Sequence, residues 1–156
     1  MYRLDEPQQR IDQVVDGFTS MRTGVHVCRG NWSRDESTLL TGSYRPLASY
    51  LERLSVQQLV LEYATERAGN LMGFGGKEIG LGVVNPRTER VESTDAIIDS
   101  VEQALLLYPA DRIFLNPDCG FGTFSGRPVN DSATAASKLR MIVAAAEILR
   151  RRVSQS

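Results

Sequence analysis

Cysteine and histidine are scarce in this chain: Cys28, Cys119 and the single His26 are all there is among 156 residues. Two cysteines so far apart exclude a disulfide-stapled scaffold and leave a pair of buried thiols or of thiol ligands. Long hydrophobic runs are missing as well, so no segment is expected to span a bilayer and no membrane partner is expected. Residues 1–10 carry neither the basic-then-apolar pattern of a secretory signal nor a lipidation motif, and a cytoplasmic location follows as the expectation. An excess of one charge is absent too, the formal net charge being -1. Arginine greatly outnumbers lysine, yet no basic stripe interleaved with aromatics is present, which excludes nucleic acid as an expected partner.

What is present is ordinary globular composition, with 42% hydrophobic and 24% charged residues. The length suits one folded unit over residues 1–156, without linker, repeat or low-complexity tract. Pro7 stands at a first helical position, and Ile11, Val14, Val15 and Phe18 follow at helical spacing. They predict an amphipathic helix over 7–21, broken at Gly24. Residues 24–28 read as a buried strand running into the polar turn Arg29-Gly30-Asn31. A helix over 46–54 follows, with Leu47, Leu51 and Leu54 inward.

Leu59-Val60-Leu61 is an apolar strand ending at Glu62, and a glycine-rich loop occupies 69–76. The next strand is expected over 79–84. Beyond Asn85-Pro86-Arg87 a helix is expected over 95–107, with Ile97, Ile98, Val101 and Leu105 inward and Pro109 as its stop. A strand over 112–116 ends at Pro117, and Gly120, Gly122, Gly126 and Pro128 mark an irregular loop. The last helix covers 132–152, where Arg150, Arg151 and Arg152 complement the helix dipole. Strand-helix units in succession, with strands apolar throughout, predict an α/β fold with a parallel sheet covered by helices. No G-x-G-x-x-G turn follows the first strand, which favours a (β/α) barrel arrangement over a doubly wound sheet.

Parallel α/β folds place their chemistry at the carboxyl ends of strands, where the loops converge. His26 and Cys28 close the first strand, Glu62 the second, and Cys119 lies just past the fourth. Side chains two apart on a strand share a face, so His26 and Cys28 point into one space while Val27 points away. Imidazole and thiolate suit Zn²⁺, and Glu62 with Cys119 completes a tetrahedral set. Taken alone, a histidine near a cysteine at a strand end is ordinarily a satisfied core residue. Glu62 alters that weighting, because a carboxylate directly after an apolar strand needs a metal or an arginine, with Arg67 as the arginine at hand.

The residues around these four resemble a known family, the cobalamin-independent methionine synthases, over the carboxyl-terminal half of their catalytic barrel. His26-Val27-Cys28-Arg29-Gly30-Asn31 is similar to the first metal half-site, in the form of the methionine-synthase-II-like and epoxyalkane coenzyme M transferase-like branches. Leu61-Glu62-Tyr63 with Thr65-Glu66-Arg67-Ala68-Gly69 resembles the glutamate-ligand strand, and Asn116-Pro117-Asp118-Cys119-Gly120-Phe121 the last metal half-site. Residues 82–84 and 91–93 and the helix from Lys138 through Ala146 are similar to the intervening and closing segments. Leu4-Asp5-Glu6-Pro7 resembles the D-E-P turn whose aspartate helps to hold the amino-acid thiol.

The resemblance implies half of a (β/α)8 barrel, about four parallel strand-helix units, with zinc on His26, Cys28, Glu62 and Cys119. It implies a small-molecule, homocysteine-like thiol activated for methyl transfer from a donor such as 5-methyltetrahydrofolate, or thiol addition to an epoxide. Glu62 is then the yielding ligand in catalysis, and Asp5, Asp118, Arg29 and Asn31 are substrate-binding candidates beside the ligands. For Asn31 and Asp118, simple turn chemistry is the competing reading. Arg67 and Arg87 are candidates for a substrate carboxylate or sulfonate, or else solvated surface. A porphyrinogen decarboxylase-like barrel shares the architecture but has no use for the ligand set.

Two departures from the family pattern carry consequences. The loop that holds a proton-donating histidine in methionine synthases proper reads Asn85-Pro86-Arg87-Thr88 here. A closed barrel, moreover, needs eight strands and typically about 250 residues. Half a barrel exposes edge strands and core. A homodimer, a separate amino-terminal half-barrel chain or a truncated, non-catalytic scaffold role is therefore expected.

Overall fold

The computed structural model describes residues 5–122 and 124–154. Four strands, β1 (Gly24–Val27), β2 (Gln58–Leu61), β3 (Glu78–Val84) and β4 (Ile113–Pro117), form one parallel sheet in the order β1-β2-β3-β4. Strand order that follows chain order without reversal is barrel topology, since a doubly wound sheet reverses direction at a switch point. Val27 stands opposite Leu61, Leu61 opposite Leu81 and Leu81 opposite Leu115. The carboxyl ends of the strands are thereby level. The ladder between β3 and β4 is irregular at Gly82/Val84.

The helices are α1 (Asp5–Val15), α2 (Ala48–Arg53), α3 (Thr94–Leu105) and α4 (Ser132–Val153). Ser93 caps α3 by accepting from Ala96 N–H, and Asp131 caps α4 by accepting from Thr134 N–H. Each side-chain oxygen satisfies a backbone donor that the helix start leaves open. The core lies between these helices and one face of the sheet, where Leu59, Leu61, Ile79 and Leu81 meet Leu51, Ile97, Val101 and Ala145. Burial is one-sided along β1 and β2, whereas β3 is buried on both faces. Along β2, Leu59 and Leu61 are buried while Gln58 and Val60 are only half-buried, and on β1 Gly24 and His26 are exposed. The open side is the one that a closed barrel turns inward.

Several expectations are corrected. The first helix ends at Val15 rather than running to Met21, and the chain turns at Asp16-Gly17, upstream of Gly24. Phe18, beyond the helix end, is exposed, and so is Val14 within its last turn. On α3 the inner position falls to Ala104, and Leu105 is outward. The connection between β2 and β3 is, as expected, a glycine-rich loop, preceded by a single 3-10 turn, Glu66–Ala68, with no α-helix among the described residues. Phe74 anchors that loop in the core, and Tyr108 donates its hydroxyl to the Met72 carbonyl at 2.8 Å. No described helix is long and apolar enough to cross a membrane.

Candidate metal centre

β1 carries His26 as its last but one residue and leads directly into Cys28, β2 delivers Glu62 at its next residue, and the chain leaving β4 reaches Cys119 two residues on. One ligand atom from each of the four lies within 4.8 Å of all the others. The two sulfurs are 3.8 Å apart. Two thiolates at about 2.3 Å from one tetrahedral zinc stand about 3.8 Å from each other, so the donor pair fits that ion. The hydrogen-bond pattern fits as well. His26 Nδ1 lies 3.1 Å from the Val60 carbonyl, an oxygen that can only accept. The proton therefore sits on Nδ1 and the lone pair on Nε2, the arrangement typical of a metal-ligating imidazole. Partial burial raises the Cys28 thiol above its ordinary range, and the nearby Cys119 and Glu62 push the same way. A divalent cation is what such a gathering of potential negative charge calls for.

Glu62 is held from two sides. Arg67 Nη2 donates to Oε2 at 2.7 Å and the Arg29 N–H donates to Oε1 at 3.1 Å. The arginine and the metal, weighed as alternatives on sequence, are thus compatible here: Arg67 fixes the carboxylate that belongs to the cluster. Arg67 and Glu62 are almost fully enclosed, and Arg87 is buried as well, so neither arginine is solvated surface. Arg87 Nη2 stands 3.5 Å from a Glu36 oxygen and 3.8 Å from Asp118 Oδ2.

Of the proposed substrate contacts, Asn31 lines a cavity with the two cysteines, and its amide donates to the Gly120 carbonyl at 2.6 Å. That bond ties the loop after β1 to the loop after β4. Arg29 turns its guanidinium to the carbonyls of Gly42 and Arg67 and over the Tyr44 ring. Asp118 is fully buried, accepts from Ala64 N–H at 2.8 Å, and is pushed up to about 7 by burial. It crosses β3 at Gly82, where a Cβ would stand 2.2 Å from its Oδ1. Its carboxyl braces the strand ends instead of facing the cavity. The side chain of Asp5 lies outside the described residues.

Tyr44 escaped sequence reasoning. Its hydroxyl accepts from Glu62 N–H at 3.0 Å and reaches the Val27 carbonyl at 3.5 Å, bridging the ends of β2 and β1 beneath the ligands. Only its position in the unremarkable loop Ser43-Tyr44-Arg45 marks it in the sequence, and no pattern distinguishes such a residue from a surface tyrosine. Tyr44→Phe leaves the buried Glu62 N–H without an acceptor and is expected to cost about 1–3 kcal/mol, read from urea denaturation.

With this centre in place, a comparison with known proteins is decisive. The family model described as the cobalamin-independent synthase catalytic domain matches residues 19–148. The chain belongs to this family. Cobalamin-independent synthase relatives include a methionine synthase from Pyrococcus abyssi, 29% identical over 94% of this chain and 39% of the relative. Another is the methionine synthase of Methanothermobacter thermautotrophicus, 32% identical over 94% of this chain and 46% of its own length. A B12-independent methionine synthase from Shewanella sp. W3-18-1, solved with selenomethionine, superposes with a TM-score of 0.78 at 20% identity, covering 96% of this chain and 44% of that one. That likeness confirms the fold as a portion of a (β/α) barrel. The chain spans less than half the length of these relatives.

Proposed function

We propose that this chain is the metal-bearing portion of a thiol alkyltransferase. His26, Cys28, Glu62 and Cys119 would hold Zn²⁺, and methyl transfer to a small-molecule thiol is the reaction the family membership favours. The observation that carries the reading is the convergence of four donor atoms within 4.8 Å from the ends of three strands. Bound there, zinc lowers the pKa of an incoming thiol and so supplies a nucleophile at neutral pH. The protein's own residues do the rest. The Val60 carbonyl holds the imidazole in its ligating tautomer. Arg67 and the Arg29 N–H draw charge from the Glu62 carboxylate. With a metal bound, Glu62 would thereby be the weakest of the four donors and the one to yield to substrate sulfur. The cysteines, held as ligands, are kept from attacking the alkyl donor themselves.

The names of the relatives make the thiol homocysteine-like and the donor one such as 5-methyltetrahydrofolate. The loop after β3 favours a second reading. Asn85 is bonded to Glu36 and Arg87 is buried, so Asn85-Pro86-Arg87-Thr88 offers no imidazole as the acid for a departing folate. Addition of a thiol to an epoxide, or a non-catalytic scaffold role, accommodates this. Because β1 and β4 leave two unpaired edges among the described residues, the rest of the barrel is assigned to further sequence, a second copy or a separate amino-terminal half-barrel chain.

Elemental analysis tests the metal. Near-stoichiometric zinc is expected in the purified protein and a loss of most of it in Cys119→Ser. Absence of zinc from both proteins removes the reading.

A further inference from the structure

Arg87, in the loop after β3, is fully enclosed, although an arginine is rarely taken from water without a partner of opposite charge. The backbone that carries it is fixed first. Asn85 Oδ1 accepts from the Arg87 N–H at 3.0 Å, and Glu92 Oε1 accepts from the Asn85 N–H at 2.9 Å. From α4, Lys138 Nζ donates to Glu92 Oε2 at 2.8 Å, and just before α4 the Asn130 amide donates to the Thr88 carbonyl at 2.7 Å. The loop is thus bound to the last helix.

The guanidinium reaches in the other direction, where Glu36 Oε1 stands 3.5 Å and Asp118 Oδ2 3.8 Å from its Nη2. Glu36 belongs to the loop that follows Cys28, and Asn85 donates to the same carboxylate. Asp118 directly precedes Cys119. Its own N–H donates to the Val84 carbonyl at 3.0 Å, and its Oδ1 accepts at 2.8 Å from the N–H of Ala64, two residues past Glu62. One buried cation therefore faces a carboxylate on each of the two segments that deliver a ligand sulfur. With the cation removed, two like charges remain around one enclosed space, and their repulsion drives those segments apart.

We propose that Arg87 is a positioning residue of the metal centre: by drawing Asp118 and Glu36 to one guanidinium, it sets how closely the Cys119 segment approaches the loop of Cys28, and so the spacing of the two sulfurs. The proposal rests on metal binding at the cluster and adds to it a residue that touches neither ion nor substrate. Groups that orient ligands from behind contribute to metal affinity without contacting the ion. The alternative is an enclosed ion pair that serves stability alone.

Zinc affinity, measured by competition with a chromophoric chelator, separates the two, together with the visible spectrum of cobalt-loaded protein, whose intensity follows tetrahedral thiolate ligation. Arg87→Gln is expected to weaken zinc roughly 10–100-fold, the usual range for groups behind the ligands, and to diminish the cobalt bands. Arg87→Lys, which keeps the charge but not the planar fork, is expected to restore part of both. Glu89→Gln breaks the exposed pair Arg34–Glu89, which joins the same two loops, and is expected to change neither. An Arg87→Gln protein that folds and matches the wild type in zinc affinity and cobalt spectrum overturns the proposal, whatever stability it loses. So does a Glu89→Gln protein that weakens zinc as much as Arg87→Gln, since any tie between the loops would then suffice. Where Arg87→Gln does not fold, Glu36→Gln carries the test, because the Glu36 side chain is 34% exposed and tolerates replacement. It is expected to weaken zinc about tenfold, and unchanged affinity overturns the proposal. A wild-type protein that binds neither zinc nor cobalt defeats the metal reading and the proposal with it. A wild type that binds both while the variants bind alike defeats the proposal alone.

Discussion

Arg67→Met is expected to destabilise the zinc-free protein by about 3–5 kcal/mol, the usual cost of removing one partner from a buried ion pair. Glu62 and Arg67 side chains are 1% and 5% exposed, so solvent screens neither charge. Without the guanidinium the carboxylate keeps only the Arg29 N–H, and the Leu40 carbonyl loses its donor as well. The double variant Glu62→Gln with Arg67→Met is expected to recover much of the loss, because it no longer encloses an unmatched charge. Zinc is expected to recover part of it too, by supplying the cation that Glu62 has lost. Denaturant titration of the four proteins, with and without zinc, measures both. A change below about 1 kcal/mol for Arg67→Met would mean that the carboxylate finds water or another cation, contrary to the burial seen here.

Zinc itself should be a stabiliser of similar size. A ligand that binds only the folded chain adds about 4 kcal/mol when its free concentration is a thousand times its Kd. The donors come from three separate stretches, residues 26 and 28, residue 62 and residue 119, which share no neighbourhood in the unfolded chain, so selective binding to the folded chain is expected. Saturating zinc is therefore expected to raise the denaturation midpoint markedly, and a chelator to return it to the apo value. His26→Ala should abolish most of this gain while leaving apo stability nearly unchanged, because the imidazole is exposed and makes a single hydrogen bond to protein. A wild-type midpoint indifferent to both zinc and chelator refutes the site.

These two effects draw on different parts of one arrangement. Arg67 and Tyr44 lie beneath the ligands and act by holding Glu62 and the strand ends in place. His26 and the cysteines are exposed or half-buried at the cluster and would act through a bound ion. The division follows from the parallel sheet: strands running the same way bring their carboxyl ends level, and the loops above converge while the residues below are packed.

Much of this was legible in one dimension. The alternation of apolar strands with helices, the position of His26, Cys28, Glu62 and Cys119 at strand ends, and the barrel arrangement follow from local pattern, because a strand fixes which side chains share a face and a parallel sheet fixes which ends meet. Periodicity failed where neighbours decide the outcome. Val14 and Phe18 keep the helical spacing of buried residues but are exposed, and on α3 the inner position expected of Leu105 falls to Ala104. Local sequence alone determined which residues could ligate a metal. Tertiary structure decided that Arg67 steadies Glu62 without displacing it from the cluster, that Asp118 and Arg29 brace the loops, and that Arg87 lies between Glu36 and Asp118. Each of these depends on distances between segments far apart in the chain, and such distances are set by packing, which no local pattern encodes.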